Sequence, residues 1–236
     1  LVGESWFTSS VHHKGFDTFQ TAEYTEGATD FIAALRGLGD EVRYIPAHLV
    51  DTEFPTDPSG FEGIDVVILS DVGANTFLLG KATFGRSEVV PNRLESLATW
   101  VRGGGALLMV GGYMSFSGID GKARYGRSPL ADVLPVTIAD HDDRAEVPEG
   151  FVPEVVGPAH PALHEVPTTW PRVLGYNRVV AKDGAAVLVA RGVDPILAYT
   201  CQVQVSDTTN DWEVAGGLRG APVELTRCKT CDLEVP

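Results

Sequence analysis

Two short, nearly unbroken apolar runs constrain this chain more than any other feature. Residues 64–69 read Ile-Asp-Val-Val-Ile-Leu and residues 106–110 read Ala-Leu-Leu-Met-Val. A strand with one wet face alternates apolar and polar side chains. A run that is apolar at both parities must be covered on both faces, as inside a parallel sheet. Between the runs, Leu94, Leu97, Ala98 and Val101 share one face at helical period, with Pro91 suited to the first turn and Gly103-Gly104-Gly105 to the stop. Upstream, Ala28, Phe31, Leu35 and Leu38 repeat that period ahead of Gly39, placed where a helix ends, and residues 41–45 alternate like a strand. Residues 1–7 read as a short buried strand emptying into a polar loop over 8–14. The alternation of strand and helix predicts a parallel sheet with helices on both sides.

In such sheets ligands bind at the carboxyl ends of the strands. Three candidate loops follow: residues 5–14, 70–76 and 111–118. The second half is richer in turns. Strands are expected over 136–139, 185–190 and 196–199, and 140–171 is read as loop, with prolines at 148, 153, 158, 161, 167 and 171. There is no internal repeat.

Composition narrows the partners. Asp and Glu number 32 against 18 Lys and Arg, a formal charge of −14 that repels phosphate backbones and anionic lipid. Neither nucleic acid nor membrane is therefore an expected partner. No run approaches the roughly 18 apolar residues of a membrane span, and no signal-peptide pattern is seen. The three cysteines, Cys201, Cys228 and Cys231, make no disulfide framework, so a reducing cytoplasm is the simplest location.

Several stretches, in order, resemble the glutamine amidotransferase-like branch of the class I glutamine amidotransferase superfamily. They are Gly3-Glu4-Ser5-Trp6, Lys14-Gly15-Phe16-Asp17, Ser70-Asp71-Val72-Gly73-Ala74-Asn75, residues 103–113, Asp142-Asp143-Arg144-Ala145-Glu146, His160-Pro161 and Leu174-Gly175-Tyr176-Asn177. The resemblance covers residues 1–199 and implies a flavodoxin-like three-layer α/β/α sandwich with a mostly parallel sheet. Residues 200–236 form a tail that does not follow the family's pattern. A reading-frame change near codon 200 and a divergent terminus both account for it, and the gene's other two frames distinguish them.

The resemblance also implies a test of chemistry. Glutamine hydrolysis needs a thiolate, a histidine to carry its proton, and a carboxylate to orient that histidine. The nucleophile slot in the turn Gly112-Tyr113-Met114-Ser115 holds Met114, or Tyr113 with the register shifted by one, and no histidine follows His164. A thioether cannot form an acyl-enzyme. Ser115 and Ser117 do not match Gly-x-Ser-x-Gly and read as turn-capping hydroxyls in preference to nucleophiles.

Other clusters read as structural. His12-His13 would face opposite sides of a strand and lack a third ligand, so a polar loop lining is preferred to a metal site. Asp142, Asp143 and Glu146 around Arg144, beside His141, are either a cation or general-base site or a salt-bridged loop; the latter is preferred. His160 and His164 read as a capped turn, because Pro161 and Pro167 oppose a helix. Cys228-Lys229-Thr230-Cys231 has only half the ligands of a zinc site.

The expectation is therefore a protein without an intact Cys-His-Glu triad and without conventional glutaminase activity. It needs no metal or cofactor and binds a small molecule or a partner protein at the carboxyl edge of its sheet. The expected lining is Ser5, Trp6, His12, Asp71, Asn75, Tyr113, Met114 and Ser115. Two alternatives stay open: a hydrolase of altered chemistry using His12 or Asp71 as base, and a structural subunit of a homo-oligomer.

Overall fold

The computed structural model describes residues 1–157, 159–164, 166, 170–192 and 194–196, together with the strand backbone of 197–199, 202–205, 212–215, 223–225, 228–229 and 232–233. Strand β1 (Val2–Gly3) leads into an antiparallel hairpin of β2 (Ser5–Lys14) and β3 (Asp17–Glu26), paired from Ser5↔Glu26 to Lys14↔Asp17. The polar loop expected over 8–14 is thus a strand. Its signals are threonines and aromatics at high strand propensity and Gly15, which supplies φ 65° at the first position of a two-residue turn. The alternation that marks a half-buried strand is missing because both faces of the hairpin meet water.

Helix α1 (Thr29–Gly37) follows and ends in a Schellman turn, with Gly39 N donating to Arg36 O (3.0 Å) and Asp40 N to Leu35 O (3.2 Å). Ile32 is its buried residue, whereas Phe31 and Leu38, expected on the apolar face, are 39% and 63% exposed. The strand expected over 41–45 shrinks to one parallel bridge, Val2↔Ile45. Backbone bonds flank it, Ile45 N to Leu1 O (2.9 Å), Gly3 N to Ile45 O (3.1 Å) and Leu1 N to Arg43 O (2.9 Å).

Next come α2 (Val50–Glu53), β4 (Val66–Ser70), α3 (Ala74–Leu78), α4 (Arg93–Arg102) and β5 (Ala106–Val110). The helix over 91–101 begins two residues after Pro91, where the Asn92 side chain accepts from Leu94 N (3.0 Å) and Glu95 N (3.3 Å). Strands β1, β4 and β5 form a parallel sheet in that order. Val67 and Leu69 of β4, with Leu107 and Met109 of β5, pack into a core completed by Phe54, Phe77, Leu94, Leu97 and Val101. Side chains of opposite parity, Ile68 and Leu108 among them, point to the other face.

The second half holds α5 (Leu130–Val133), β6 (Val136–Thr137), β7 (Arg144–Phe151), β8 (Glu154–Val155), β9 (Val173–Asn177), β10 (Val180–Ala181), β11 (Ala186–Arg191) and β12 (Asp194–Tyr199). The stretch 140–171, expected to be loop, contributes β7 and β8. Antiparallel pairing joins β7 to β9, β6 to β10, and β12 to β11 to β8. Within the tail, β13 (Gln202–Val205), β14 (Trp212–Ala215) and β15 (Val223–Leu225) pair antiparallel.

One ion pair ties the helical layer together. The Arg93 side chain, at the start of α4, is 7% exposed and donates to Asp51 O (2.6 Å), Asp51 Oδ1 (3.3 Å) and Phe77 O (3.4 Å); Lys81 N donates to Asp51 Oδ2 (3.0 Å). A buried guanidinium that loses its carboxylate is an uncompensated charge. Asp51→Ala should therefore lower unfolding free energy by about 2–3 kcal/mol in urea titrations, the solvent share of Asp51 keeping it below the usual range for buried pairs. A loss under about 0.5 kcal/mol, the level of an ordinary surface change, would show that the pair is dispensable.

Candidate functional site

The carboxyl ends of β1, β4 and β5 lie side by side. Each leads to a non-glycine residue in left-handed conformation: Glu4 (φ 47°), Asp71 (φ 46°) and, in the loop after β5, Phe116 (φ 53°). Such residues cost about 1–3 kcal/mol each and persist where the surroundings over-determine them. Glu4 N donates to Ser70 O (2.9 Å), and the Ser70 hydroxyl donates to the Glu4 carboxylate. Tyr44 Oη donates to Gly3 O (3.0 Å) and to Glu4 O (3.3 Å). Burial pushes the Tyr44 hydroxyl up to about 12, which keeps it a donor at neutral pH.

The loop after β5 is held by three acceptor side chains drawn from different parts of the chain. Asp71 Oδ1 accepts from Met114 N (2.7 Å). Asn177, closing β9, accepts from Gly112 N through Oδ1 (2.9 Å) and donates through Nδ2 to Gly112 O (3.2 Å) and Asp143 Oδ1 (2.8 Å). Asp143, 2% exposed, accepts from Ser117 N (2.8 Å) and Gly118 N (2.9 Å). Ser115 N reaches Gly112 O (3.4 Å). At Gly112 a Cβ would stand 3.0 Å from Asp71 Oδ1, so a larger residue there would press on that carboxylate.

This arrangement differs from a nucleophile turn in two ways. The left-handed residue of the loop is Phe116, neither Tyr113 nor Met114, and the next helical element is a 3₁₀ turn, Ile119–Gly121, not an α-helix. Moreover, the amides of Gly112, Met114, Ser115, Ser117 and Gly118, the kind of group that would stabilise an oxyanion, already donate within the protein.

Tyr113 is 55% exposed beneath the Arg144 guanidinium, 4.7 Å from the ring centroid. Arg144 is gripped by Asp142 at 3.1 and 2.9 Å and by Glu146 at 3.2 Å. Hydrogen bonds from the Arg144 side chain, then from the Asp120 and Arg144 amides, hold the Asp142 carboxyl far below the usual carboxylate range. The salt-bridged loop expected around Arg144 is present, but Asp143, grouped with it in sequence, serves the β5 loop instead. His141 pairs with Asp140 at the surface (3.0 Å).

Of the lining residues expected from sequence, Asp71, Tyr113, Met114 and Ser115 come together. Ser5 is buried and its Oγ accepts from Ala47 N (2.8 Å), a structural bond at the foot of the hairpin. Trp6 lies beside Glu4: a Cβ on Gly27 would meet both the Trp6 ring and Glu4 Oε2 at 3.1 Å. Asn75 sits exposed in the first turn of α3. His12 does not join them. It lies seven residues along β2 from Ser5, roughly 23 Å at strand rise, stacked on Phe19 (4.5 Å) with Nε2 3.1 Å from Thr21 Oγ1. Its neighbour His13 turns to the other face and meets Thr18 Oγ1 (3.3 Å).

His160 caps the 3₁₀ turn Pro161–Leu163 by accepting from Ala162 N (3.1 Å), as the capped-turn reading expects, and burial pushes its imidazole pKa down. Cys201 and Cys231 lie outside the described residues, and Cys228 is described as backbone only. Among the described residues no group of three or more His, Cys, Asp or Glu is gathered as metal ligands would be. A cavity of about 440 Å³ opens at the amino ends of β1 and β4, lined by Val2, Leu35, Phe54, Phe61 and Ile68. It is at the opposite end of the sheet from the loops described above.

Sequence reasoning did not single out Glu4 or Asn177, and it placed Asp143 in the Arg144 cluster. All three stand in stretches that carry the family resemblance, yet the roles of Asp143 and Asn177 depend on the pairing of β7 with β9, which no local pattern reveals.

Residues 1–213 match the family model described as "Putative glutamine amidotransferase". Two solved structures share the fold: Cytoplasmic Protein STM3548 from Salmonella typhimurium (45% identity, TM-score 0.80) and Cytoplasmic Protein STM1381 from Salmonella typhimurium LT2 (42% identity, TM-score 0.79). In each pair, 84% of this chain and 80% of the other are covered. Uncharacterized protein sll0936 of Synechocystis sp. is 40% identical over 50 residues, which span 21% of this chain and 10% of that relative. The chain belongs to the glutamine amidotransferase-like family.

Two predictions follow from the acceptors. Asp143→Ala strands two buried amides and should cost about 2–4 kcal/mol in urea unfolding, with faster hydrogen exchange at Ser117 and Gly118; unchanged exchange there would show that Asp143 does not shape the loop. Asp142 behaves differently. Its folded pKa is depressed, so its contribution is complete above the ordinary aspartate range near 4 and disappears as pH falls through the folded value. Carboxyl NMR should find Asp142 still ionised at about pH 3, whereas a midpoint in the ordinary range would rule out the Arg144 grip.

Proposed function

We propose that this member of the family is a non-glutaminase scaffold that binds a small molecule, or a partner, at the carboxyl edge of the β1-β4-β5 sheet. The observation that carries the reading is the loop after β5: Met114 stands in the nucleophile slot, and its own amide donates to Asp71 Oδ1 at 2.7 Å. Installing a thiol would therefore not complete the machinery, because the amides that would receive the developing charge are engaged.

The same geometry bears on the ligand. The rim presents the carboxylates of Glu4 and Asp71, and the amides of Gly112, Met114, Ser117 and Gly118 already have side-chain acceptors. A neutral or cationic ligand suits it, with Trp6 and Tyr113 as aromatic surface. Asp71 as a general base fits less well, since its carboxylate is committed to the loop, and His12 lies out on the hairpin. On this reading the fold is the flavodoxin-like three-layer sandwich, supported by the Ile45 bridge-β1-β4-β5 order and by α1 lying apart from the core built on α2 to α5. Cytoplasmic residence is part of the proposal, supported by the names of the two Salmonella relatives; no helix among the described residues is long and apolar enough to cross a membrane.

The test is ammonia release from L-glutamine. The wild-type protein should show none above buffer, and Met114→Cys alone should remain at least 10²-fold below a working glutaminase, the usual cost of one missing oxyanion donor. Ammonia release by the wild type that disappears in Met114→Ala would refute the proposal.

A further inference from the structure

The β2–β3 hairpin is long, neutral along most of its length and largely uncovered. Of its twenty strand residues, only Ser5 is buried and only Ser10, His12 and Thr25 are half-buried. Two-stranded ribbons of this kind are marginal in water on their own. Large apolar side chains nevertheless stand on both faces: Phe7, Val11 and Tyr24 on one, Trp6 and Phe19 on the other, with Phe16 fully exposed at the turn (108%). Only at the foot do described contacts anchor this surface, where Phe7 and Tyr24 stack at 4.8 Å and both meet the His48 ring.

We infer that this hairpin is a homodimerisation arm, and that its occupant is the β2 strand of a second copy of this chain. Three observations select that partner. The first is charge. The chain carries −14 overall, yet residues 6–22 contain only Lys14 and Asp17 as formal charges and are neutral together. Two acidic bodies can approach along this segment without opposing like charge.

The second is the edge. Protein sheets guard free edges with charge, proline or bulges. Strand β3 carries Asp17, Glu23 and Glu26, whereas β2 has no charge before Lys14, no proline and a regular register throughout. An isologous two-fold contact pairs β2 antiparallel with its own copy. The product is a four-stranded sheet in which the tip of each hairpin, with Phe16, comes beside the foot of the other, where Phe7 and Tyr24 stack.

The third is the set of apolar side chains along that edge. Trp6, Phe7 and Val11 of β2 and Phe16 at the turn are exposed beside the partner strand, whereas Phe19 and Tyr24 on β3 lie one strand away from it. The proposed ligand site at the sheet edge lies at the foot of the hairpin, so the arm would bring the partner's tip beside it.

Light scattering of the purified full chain at tens of micromolar tests this. The wild type should run at twice the chain mass. Thr8→Lys combined with Ser10→Lys places charge on the free edge and should reduce that mass two-fold, with the urea midpoint retained. Phe16→Asp alters a side chain with no neighbour in its own subunit, so its folding is not at risk, and it should weaken dimerisation at least tenfold. A monomeric wild type overturns the inference, as does a dimer that persists unchanged in Phe16→Asp and in the double lysine variant. Glutaminase assays are blind to all of these outcomes, so the arm and the silent site stand or fall separately.

Discussion

The loop after β5 would have no reason to hold its shape without the side chains that accept its amides. Asp71, Asp143 and Asn177 reach it from the end of β4, from the residue preceding β7 and from the end of β9, and bind the N–H groups of Met114, of Ser117 and Gly118, and of Gly112 respectively. Asn177 also bonds Asp143, so two of the three acceptors steady each other. Buried carboxylates are tolerable when every lone pair has a donor, and backbone amides supply those donors without adding a charge. The parallel sheet, the left-handed residues at its strand ends and the exposed Tyr113 are all arranged around this net.

In the proposed reading, that net also separates family membership from family chemistry in this chain. A hydrolytic turn leaves amides free for the charge that appears in the transition state, which is where stabilisation accelerates a reaction. Here those amides have permanent partners. On that proposal, Met114 and the engagement of its own amide work in the same direction, with fold kept where function departs, a separation that superfolds permit.

How much of this could be read from the chain depended on the range of the interaction involved. The strands at 66–70 and 106–110 and the helix before Gly103 were legible because burial leaves a local periodic mark. The hairpin reads as loop in the sequence, since a ribbon wet on both faces has no alternation to show and leaves only strand-prone threonines and aromatics and Gly15 as signals. Phe31 looked like a core residue and is exposed, while Ile32 one position on is buried; a helix face can be located to about one residue by period, and packing decides the rest. Asp71, Tyr113, Met114 and Ser115 lie together because they follow the ends of neighbouring parallel strands, whose positions are predictable. His12 was displaced by the hairpin, and Asp143 and Asn177 were invisible as loop holders because 34 residues of sequence separate them.

The distance between the loop and its acceptors also sets an order on biosynthesis. Gly112 bonds a side chain 65 residues downstream, and Ser117 one 26 residues downstream. While the ribosome has delivered only the first three sheet strands, the loop has one of its three holders. The edge of the sheet therefore matures after most of the domain has emerged, and a nascent or truncated chain ending before residue 177 would display a stable core beneath an unfinished rim.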